Sequence, residues 1–195
     1  MIAPERFLVQ SAQHRDWLTA RRGRASATDV AKAATPSGMK SVLEERAKPE
    51  DEFFDNDYMK FGRDNENWIA MEMKREYGIL PNSWLIASEQ SKLYVATPDC
   101  LSLDHTEIGE IKTGGTQPGK NPPLQHIRQM QWQLFCSGAQ LCHYAFLLRV
   151  QVNGIYVPGW MEPRFFDPIH RDELMIEQLI ATADLLLETE RKAQQ

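Results

Sequence analysis

Two acidic residues and a lysine, spaced as in a small metal site, lie near the middle of the chain. Asp99 follows a proline at the end of one β-prone run, and Glu110 and Lys112 stand two residues apart in the next such run. Side chains alternate between the two faces of a strand, so Glu110 and Lys112 should point the same way while Ile111 points into the opposite layer. Closely packed carboxylates repel each other, which favours a divalent cation between them. Such a cation supplies the chemistry of phosphodiester hydrolysis.

These residues converge only if the chain folds back between them. A hairpin that pairs Lys92–Thr97 with Glu107–Thr113 through a turn at Asp104–His105 would bring Asp99 beside Glu110. A simpler interpretation exists, because a Pro-Asp pair is a common turn and a Glu-x-Lys triplet is a common charge pair on an edge strand. The other segments of the sequence must distinguish a metal site from an ordinary turn with a charge pair.

An arginine-rich segment precedes this centre. Arg21 and Arg24 are followed by two hydroxyl residues, Ser26 and Thr28, either of which would cap a helix through Val30–Ala34. Backbone N–H groups at a helix start and guanidinium groups both bind phosphate, so the segment is a candidate phosphate site. The alternative is a solvated run of charge before an ordinary capped helix.

Two predicted helices bring further polar groups. Tyr58–Gly78 has helical periodicity, and Glu66 falls on the same stripe as apolar Ala70. Acids on a buried stripe usually have a partner, so Glu66 is a candidate third carboxylate; the alternative is a glutamate at the edge of the stripe with its head in water. On the helix predicted at Leu124–Gly138, Gln129 either lines the cleft or simply faces solvent.

The composition limits the class of function. A chain of 195 residues suits one domain, and its formal net charge of −5 means that DNA binding would need a local basic face. The cysteines at positions 100, 136 and 142 form no CxxC pair, which indicates free thiols in a reducing cytoplasm. The sequence has neither a leader-like N-terminus nor a run of 18 apolar residues, so we expect no secretion and no membrane contact.

The periodicity of the chain predicts alternating helices and strands. Helices are expected at Ser11–Ala20, Val30–Ala34, Lys40–Lys48, Tyr58–Gly78, Leu124–Gly138 and Pro168–Lys192. Strands are expected at Trp84–Ser88, Lys92–Thr97, Glu107–Thr113, Leu141–Val150 and Gln151–Trp160. Breaks or loops are expected at Thr35–Gly38, Pro49–Asp57 and Gly114–Pro123. This order predicts an α/β fold with a mixed central β-sheet flanked by helices.

Five segments, in this order, resemble the YqaJ-type viral recombinase family, which includes phage lambda exonuclease and belongs to the PD-(D/E)xK nuclease superfamily. They are Arg21–Val30, Gly62–Glu66, Thr97–Asp99, Glu110–Lys112 and His126–Gln131. The resemblance implies a PD-(D/E)xK restriction-endonuclease-like core and a single nuclease domain over residues 1–195. Residues 1 to about 57 would form a helical part that binds DNA ends, and residues from about 58 to 195 the catalytic core.

The same resemblance implies a role for each matched residue. Its metal ligands would be the carboxylates of Glu66, Asp99 and Glu110 and the backbone carbonyl of Ile111. The metal would be Mg²⁺, with Mn²⁺ as a substitute. Lys112 would position the attacking water and stabilise charge, and Gln129 corresponds to the family's active-site glutamine. A phosphate at the DNA end would be bound by Arg21, Arg24, Ser26 and Thr28.

The implied function is Mg²⁺-dependent hydrolysis of linear double-stranded DNA, 5′ to 3′, leaving single-stranded tails for phage-type recombination. The implied partners are double-stranded DNA ends, a single-strand annealing protein and further copies of the chain in a ring trimer, in the cytoplasm of a bacterial host. Two positions depart from the family: Thr28 stands in place of the usual serine, and Cys100 in place of the usual glycine.

Two other classes of function stay open. The chain is compatible with another nuclease of the superfamily, either an endonuclease or a CRISPR-associated nuclease, although the latter usually carries an iron–sulfur cluster on four cysteines. It is also compatible with a non-catalytic DNA-binding scaffold of recombination that kept the fold. Cleavage of closed circular DNA would favour an endonuclease, and metal-independent binding without turnover would favour a scaffold.

Overall fold

The computed structural model describes residues 1–48 and 56–193, so the predicted connection at Pro49–Asp57 lies mostly outside the described residues. The helices in these ranges are α1 His14–Arg21, α2 Ala27–Ala33, α3 Pro36–Arg46, α4 Asp57–Tyr77, α5 Leu124–Ser137 and α6 Glu173–Ala193. The strands are β1 Phe7–Gln10, β2 Ala25–Ser26, β3 Leu80–Pro81, β4 Trp84–Ala87, β5 Tyr94–Ala96, β6 Cys100–Leu101, β7 Glu107–Gly114, β8 Leu141–Val152, β9 Ile155–Pro158, β10 Arg164–Phe165 and β11 Ile169–His170.

The strands form two mixed sheets flanked by helices, which confirms the predicted α/β class. One sheet has the strand order β1-β4-β5-β2, and the other has the order β10-β8-β7-β6-β3, with β9 and β11 also paired to β8. In the second sheet, β7 and β8 run parallel from Glu107↔Leu141 to Gly114↔Leu148. Parallel neighbours need a crossover, and α5 supplies it between β7 and β8.

Helix α5 lies between the two sheets. On one side Trp132 Nε1 donates a hydrogen bond to the carbonyl of Val95 in β5 at 3.2 Å. On the other side Gln133 reaches Glu110 in β7. Every residue of the segment Gln129–Ser137 is consequently buried. Gln129 is therefore inside the protein and does not face solvent, so its amide needs hydrogen-bond partners.

Helix α4 covers the opposite face of β7 and β8. Ile111 packs there in one apolar cluster with Ile69 of α4, as the alternation of strand side chains predicts. On this face Gly109 of β7 packs tightly against its neighbours. A Cβ at this position would lie 2.9 Å from both Cys100 Cβ and Ile79 Cδ1. The residues on the two faces of β7 therefore have different surroundings: α4 covers Ile111, and α5 covers Glu110.

The predicted hairpin between Lys92–Thr97 and Glu107–Thr113 was wrong. Strand β5 pairs with β4 and β2 in the first sheet, and the strand that meets β7 through the turn at Asp104–His105 is β6. The chain passes from one sheet to the other at Pro98, which has no N–H to donate to a strand ladder. Asp99 nevertheless lies beside β7, because the chain has entered the second sheet by the residue before β6.

Most helix ends agree with the sequence, with three differences. Ser26 caps α2 as predicted, but α1 begins beyond Ser11, which therefore does not cap it. Helix α3 includes most of the predicted break at Thr35–Gly38, because Thr35 caps it. Helix α6 starts later than Pro168, because β11 first pairs with β8. Over the described ranges, no helix combines the length and apolar character that crossing a bilayer requires.

Candidate active site

Glu110 is the most enclosed acid of the predicted centre, with 1% of its surface exposed. Gln129 Nε2 donates to Glu110 Oε1 at 2.6 Å, and Gln133 Nε2 donates to Oε2 at 2.6 Å. The ammonium of Lys112 forms an ion pair with Oε1. A buried carboxylate is tolerated only with such donors. The Glu110 carboxylate is therefore held in place from two elements. Lys112 is two residues away on β7, and Gln129 and Gln133 are four residues apart on α5.

Asp99 lies beside this group at the open edge of β7. Its backbone N–H donates to the carbonyl of Gly109 at 2.9 Å, and its Oδ2 accepts from the backbone N–H of Ile111 at 2.6 Å. Strand β6 begins only at Cys100, so it does not extend to a position opposite Ile111. The Asp99 carboxylate accepts the Ile111 N–H in place of a strand carbonyl. The half-buried side chain is held next to Glu110 by the backbone of β7 itself.

Glu66 approaches the same group from α4. It is an exposed residue, whereas Ala70 and Met73 on its stripe are buried. Its carboxyl nevertheless interacts with the charges of Glu110 and Lys112. Glu66 thus lies at the solvent side of the centre, near the other predicted residues but outside the core.

Negative charge accumulates in this space. Burial and the charge of Glu110 raise the pKa of Asp99 well above its ordinary value, although Lys112 acts in the opposite direction. Partial burial and Glu110 also raise the pKa of Glu66. Burial lowers the pKa of Lys112, but attraction to Glu110 and Asp99 outweighs that effect, so the pKa is raised. Three carboxylates therefore share the ammonium of Lys112, and Arg63 adds a positive charge near Glu66.

The carboxylates of the centre suit a divalent cation with oxygen ligands. Within residues 1–48 and 56–193, no three Asp, Glu, His or Cys side chains converge in a complete metal-binding group. Magnesium is usually held by only one or two carboxylates, and it prefers oxygen ligands. Asp99 and Glu110 supply two carboxylates beside each other, and the negative charge of the centre favours a divalent cation.

The arginine-rich segment forms a second polar cluster, next to α5. Ser26 is buried, and its Oγ accepts from Arg21 Nη2 at 3.0 Å and donates to Asp29 Oδ2 at 2.8 Å. Arg24 donates to a backbone carbonyl of α1, while Thr28 is exposed. Of the predicted phosphate-binding residues, Ser26 therefore has internal partners, and Thr28 lies on the surface.

Three residues important to these clusters were not among the predicted site residues. Gln133 binds Glu110 as closely as Gln129 does, and its position four residues later on α5 is a usable signal. Asp29 and Arg46 complete the arginine cluster, with a distance of 2.8 Å between Arg46 Nη2 and Asp29 Oδ2. Arg46 comes from α3, and no local pattern indicates that it meets this cluster.

Similarity to a known family agrees with this geometry. The sequence pattern of the YqaJ-like viral recombinase domain matches residues 16–140, which include all five motif segments. The chain belongs to the YqaJ-like viral recombinase family. No curated protein sequence matches it.

Solved exonuclease structures share the fold. An alkaline exonuclease from Laribacter hongkongensis, LHK-Exo, superposes with a TM-score of 0.67 at 22% identity over 92% of this chain and 93% of that chain. Its complex with dAMP gives 0.68 at 23% identity, with the same coverage. A phage-related exonuclease from Haemophilus somnus 129PT gives 0.67 at 12% identity over 87% of this chain and 94% of that one. These similarities confirm the predicted nuclease-type fold.

Proposed function

We propose that this member of the YqaJ-like family is a Mg²⁺-dependent exonuclease that hydrolyses linear double-stranded DNA for phage-type recombination. The observation that carries the proposal is the centre itself, where Asp99 and Glu110 share a small space with a single ammonium. Membership of a recombinase family and a fold shared with exonucleases support it.

The protein groups have separate tasks in this reaction. Asp99, Glu110 and the carbonyl of Ile111 would hold the metal, which when bound supplies Lewis acidity and an activated nucleophile. Gln129 orients Glu110 through the 2.6 Å hydrogen bond, so it acts as a positioning residue. Lys112 places a positive charge where a phosphodiester gains negative charge during attack. Glu66 adds a carboxylate at the solvent side, where it interacts with the same charges.

The remaining parts of the proposal concern the DNA end and the assembly. Arg21, Arg24, Ser26 and Thr28 would receive a 5′-terminal phosphate, which gives 5′-to-3′ digestion. The division into an end-binding part, residues 1 to about 57, and a catalytic core belongs to the same proposal. So do the ring trimer, the annealing partner and a bacterial cytoplasmic location, which rest on the family resemblance.

The decisive experiment uses end-labelled linear duplexes that carry either a 5′-phosphate or a 5′-hydroxyl. With Mg²⁺ or Mn²⁺, we expect nucleotides to be released from the 5′-phosphate end, and chelation should stop the release. Asp99→Asn should be inactive, and the matched control Asp104→Asn, in an exposed turn, should stay active. Intact linear DNA with both metals would refute the proposal, and cleavage of closed circular DNA would indicate an endonuclease instead.

A further inference from the structure

A tyrosine and a histidine stand next to the centre without a role in the proposed chemistry. Tyr144 of β8 is the residue opposite Glu110 in the parallel pairing, so both side chains point towards α5. Tyr144 is fully buried, and its hydroxyl lies 2.7 Å from Nδ1 of His126. His126 is three residues before Gln129 on α5, which places both on neighbouring positions of one helix face.

This contact determines which nitrogen of His126 carries the proton. The phenol of Tyr144 is buried, and burial together with Glu110 raises its pKa, so the O–H stays protonated. A buried O–H needs an acceptor, and His126 Nδ1 is the acceptor that the described residues offer. Burial and the nearby charge of Lys112 lower the pKa of His126 to about 4, so the ring is neutral. In a neutral ring with Nδ1 as acceptor, the hydrogen is on Nε2.

The other polar groups beside this face of α5 bind the carboxylate of Glu110. The amide groups of Gln129 and Gln133 donate to Glu110, and Lys112 also pairs with that carboxylate. His126 is only half-buried, and Tyr144 engages its Nδ1, so within the described residues Nε2 has no hydrogen-bond partner of its own and can receive a bound molecule. The centre thus contains a fixed neutral donor beside the group that holds the metal in the proposed function.

We propose that His126 binds substrate: Tyr144 holds the ring so that Nε2–H donates a hydrogen bond to a non-bridging oxygen of the DNA phosphate beside Lys112. This inference rests on the proposed function for the identity of the ligand as DNA. In the competing explanation, His126 serves only as the acceptor that a buried tyrosine requires. The two explanations assign different nitrogens of His126 to the essential contact, so they can be separated.

The first experiment determines which ring nitrogen of His126 carries the hydrogen. In protein labelled with ¹⁵N at histidine, long-range ¹H–¹⁵N spectra should show His126 as the Nε2–H form, and Tyr144→Phe should give a mixture of tautomers. Titration with dAMP should shift the Nε2 resonance, while deoxyadenosine, which lacks the phosphate, should not. An Nδ1–H form in the wild-type protein, or equal shifts with both compounds, would overturn the proposal.

The second experiment uses side chains that keep one nitrogen position at a time. Glutamine places its amide near the position of Nε2, and asparagine places its amide near Nδ1, where it still accepts from Tyr144. We expect His126→Asn and His126→Phe to lower kcat/KM by roughly 10- to 100-fold, as for loss of a hydrogen bond to a charged group. His126→Gln should retain most of the activity. The reverse order, with asparagine active and glutamine impaired, would show a purely structural role.

These two readouts also separate the inference from the function on which it rests. If the wild-type protein releases no nucleotides, the proposed function fails, and the dAMP titration then decides the role of His126 alone. If nuclease activity is present but dAMP and deoxyadenosine act alike on the Nε2 resonance, only the role of His126 fails.

Discussion

The acidic centre and the arginine cluster are both largely enclosed, and they differ in the balance of their charges. Around Glu110, three carboxylates face the ammonium of Lys112. In the arginine cluster, Arg21 donates a hydrogen bond to Ser26 and is attracted by the charge of Asp29, while Arg46 pairs with both Asp29 and Glu190. Arg46 lies 2.8 Å from a carboxylate oxygen of each of these acids.

The difference separates a cluster whose acids are paired within the protein from one that needs a cation. Enclosed charges that are paired and hydrogen-bonded do not require a ligand for folding, as around Arg46. Carboxylates that raise one another's pKa oppose folding until a cation joins them, as in the acidic centre. Loss of the Arg46 ion pairs should therefore reduce stability, and changes in the acidic centre should affect activity and the response to metal.

The largest expected effect is on catalysis. Asp99→Asn keeps the acceptor for the Ile111 N–H but removes the charge that would bind the metal. We expect the rate of nucleotide release to fall by at least about 10²- to 10³-fold, the usual cost of losing a key electrostatic group. The rate should be measured beside the melting temperature, so that unfolding is excluded as the cause.

The same variant should be at least as stable as the wild-type protein at neutral pH without metal. The pKa of Asp99 is raised in the folded protein, so its contribution to stability is full below the ordinary value of 3.8 and is lost as the pH rises through the raised value. Asparagine does not ionise and avoids this loss. A large drop in the melting temperature of metal-free Asp99→Asn at pH 7 would contradict the unbalanced charge of the centre.

Metal should stabilise the wild-type protein through the acidic centre alone. At a magnesium concentration a hundred times the dissociation constant, binding to the folded state adds about 2.7 kcal/mol to the free energy of unfolding. Asp99→Asn should lose this gain, and Thr28→Ala should keep it. An equal rise of the melting temperature in all three proteins would mean that magnesium acts elsewhere.

Breaking the arginine cluster should reduce stability and leave the metal response intact. Arg46→Met removes both ion pairs from a side chain that is 15% exposed, and leaves Asp29 and Glu190 without their shared partner. We expect a loss of about 2 kcal/mol, less than for a fully buried pair. The matched control is Arg75→Met, whose partner Glu72 lies on the same helix and whose side chain is 66% exposed. The control should cost under about 0.5 kcal/mol in urea unfolding.

Sequence patterns were sufficient where the interacting side chains belong to one element. Alternation along β7 predicts the pairing of Glu110 with Lys112, and the sequence places Gln129 and Gln133 on one face of α5. Helix α4 ends at Tyr77 and is capped by Gly78, whose backbone is left-handed with φ +74, as a glycine after a long helical pattern indicates. Local periodicity and local turn chemistry determine each of these features.

Contacts between distant elements could not be read in this way. The sheet to which β5 belongs depends on which partners the folded chain offers, so the predicted hairpin used the wrong strand although Asp99 was assigned correctly beside Glu110. The pair between Arg46 and Glu190 joins residues 144 positions apart. The segment Gln129–Ser137 of α5 is buried on every side because α2, α6 and both sheets cover it, which no pattern within the helix specifies.

The smallest expected effects separate the two hydroxyls of the arginine-rich segment. Ser26 caps α2 and bonds both Arg21 and Asp29, so Ser26→Ala should cost about 1 kcal/mol in the free energy of unfolding. Thr28 is exposed, so Thr28→Ala should leave stability unchanged and instead reduce the preference for a 5′-phosphate over a 5′-hydroxyl end. Chemical unfolding and competition between the two substrates measure both quantities. An unchanged end preference in Thr28→Ala, together with a changed one in Ser26→Ala, would assign the hydroxyl contact with the phosphate to Ser26 and not to Thr28.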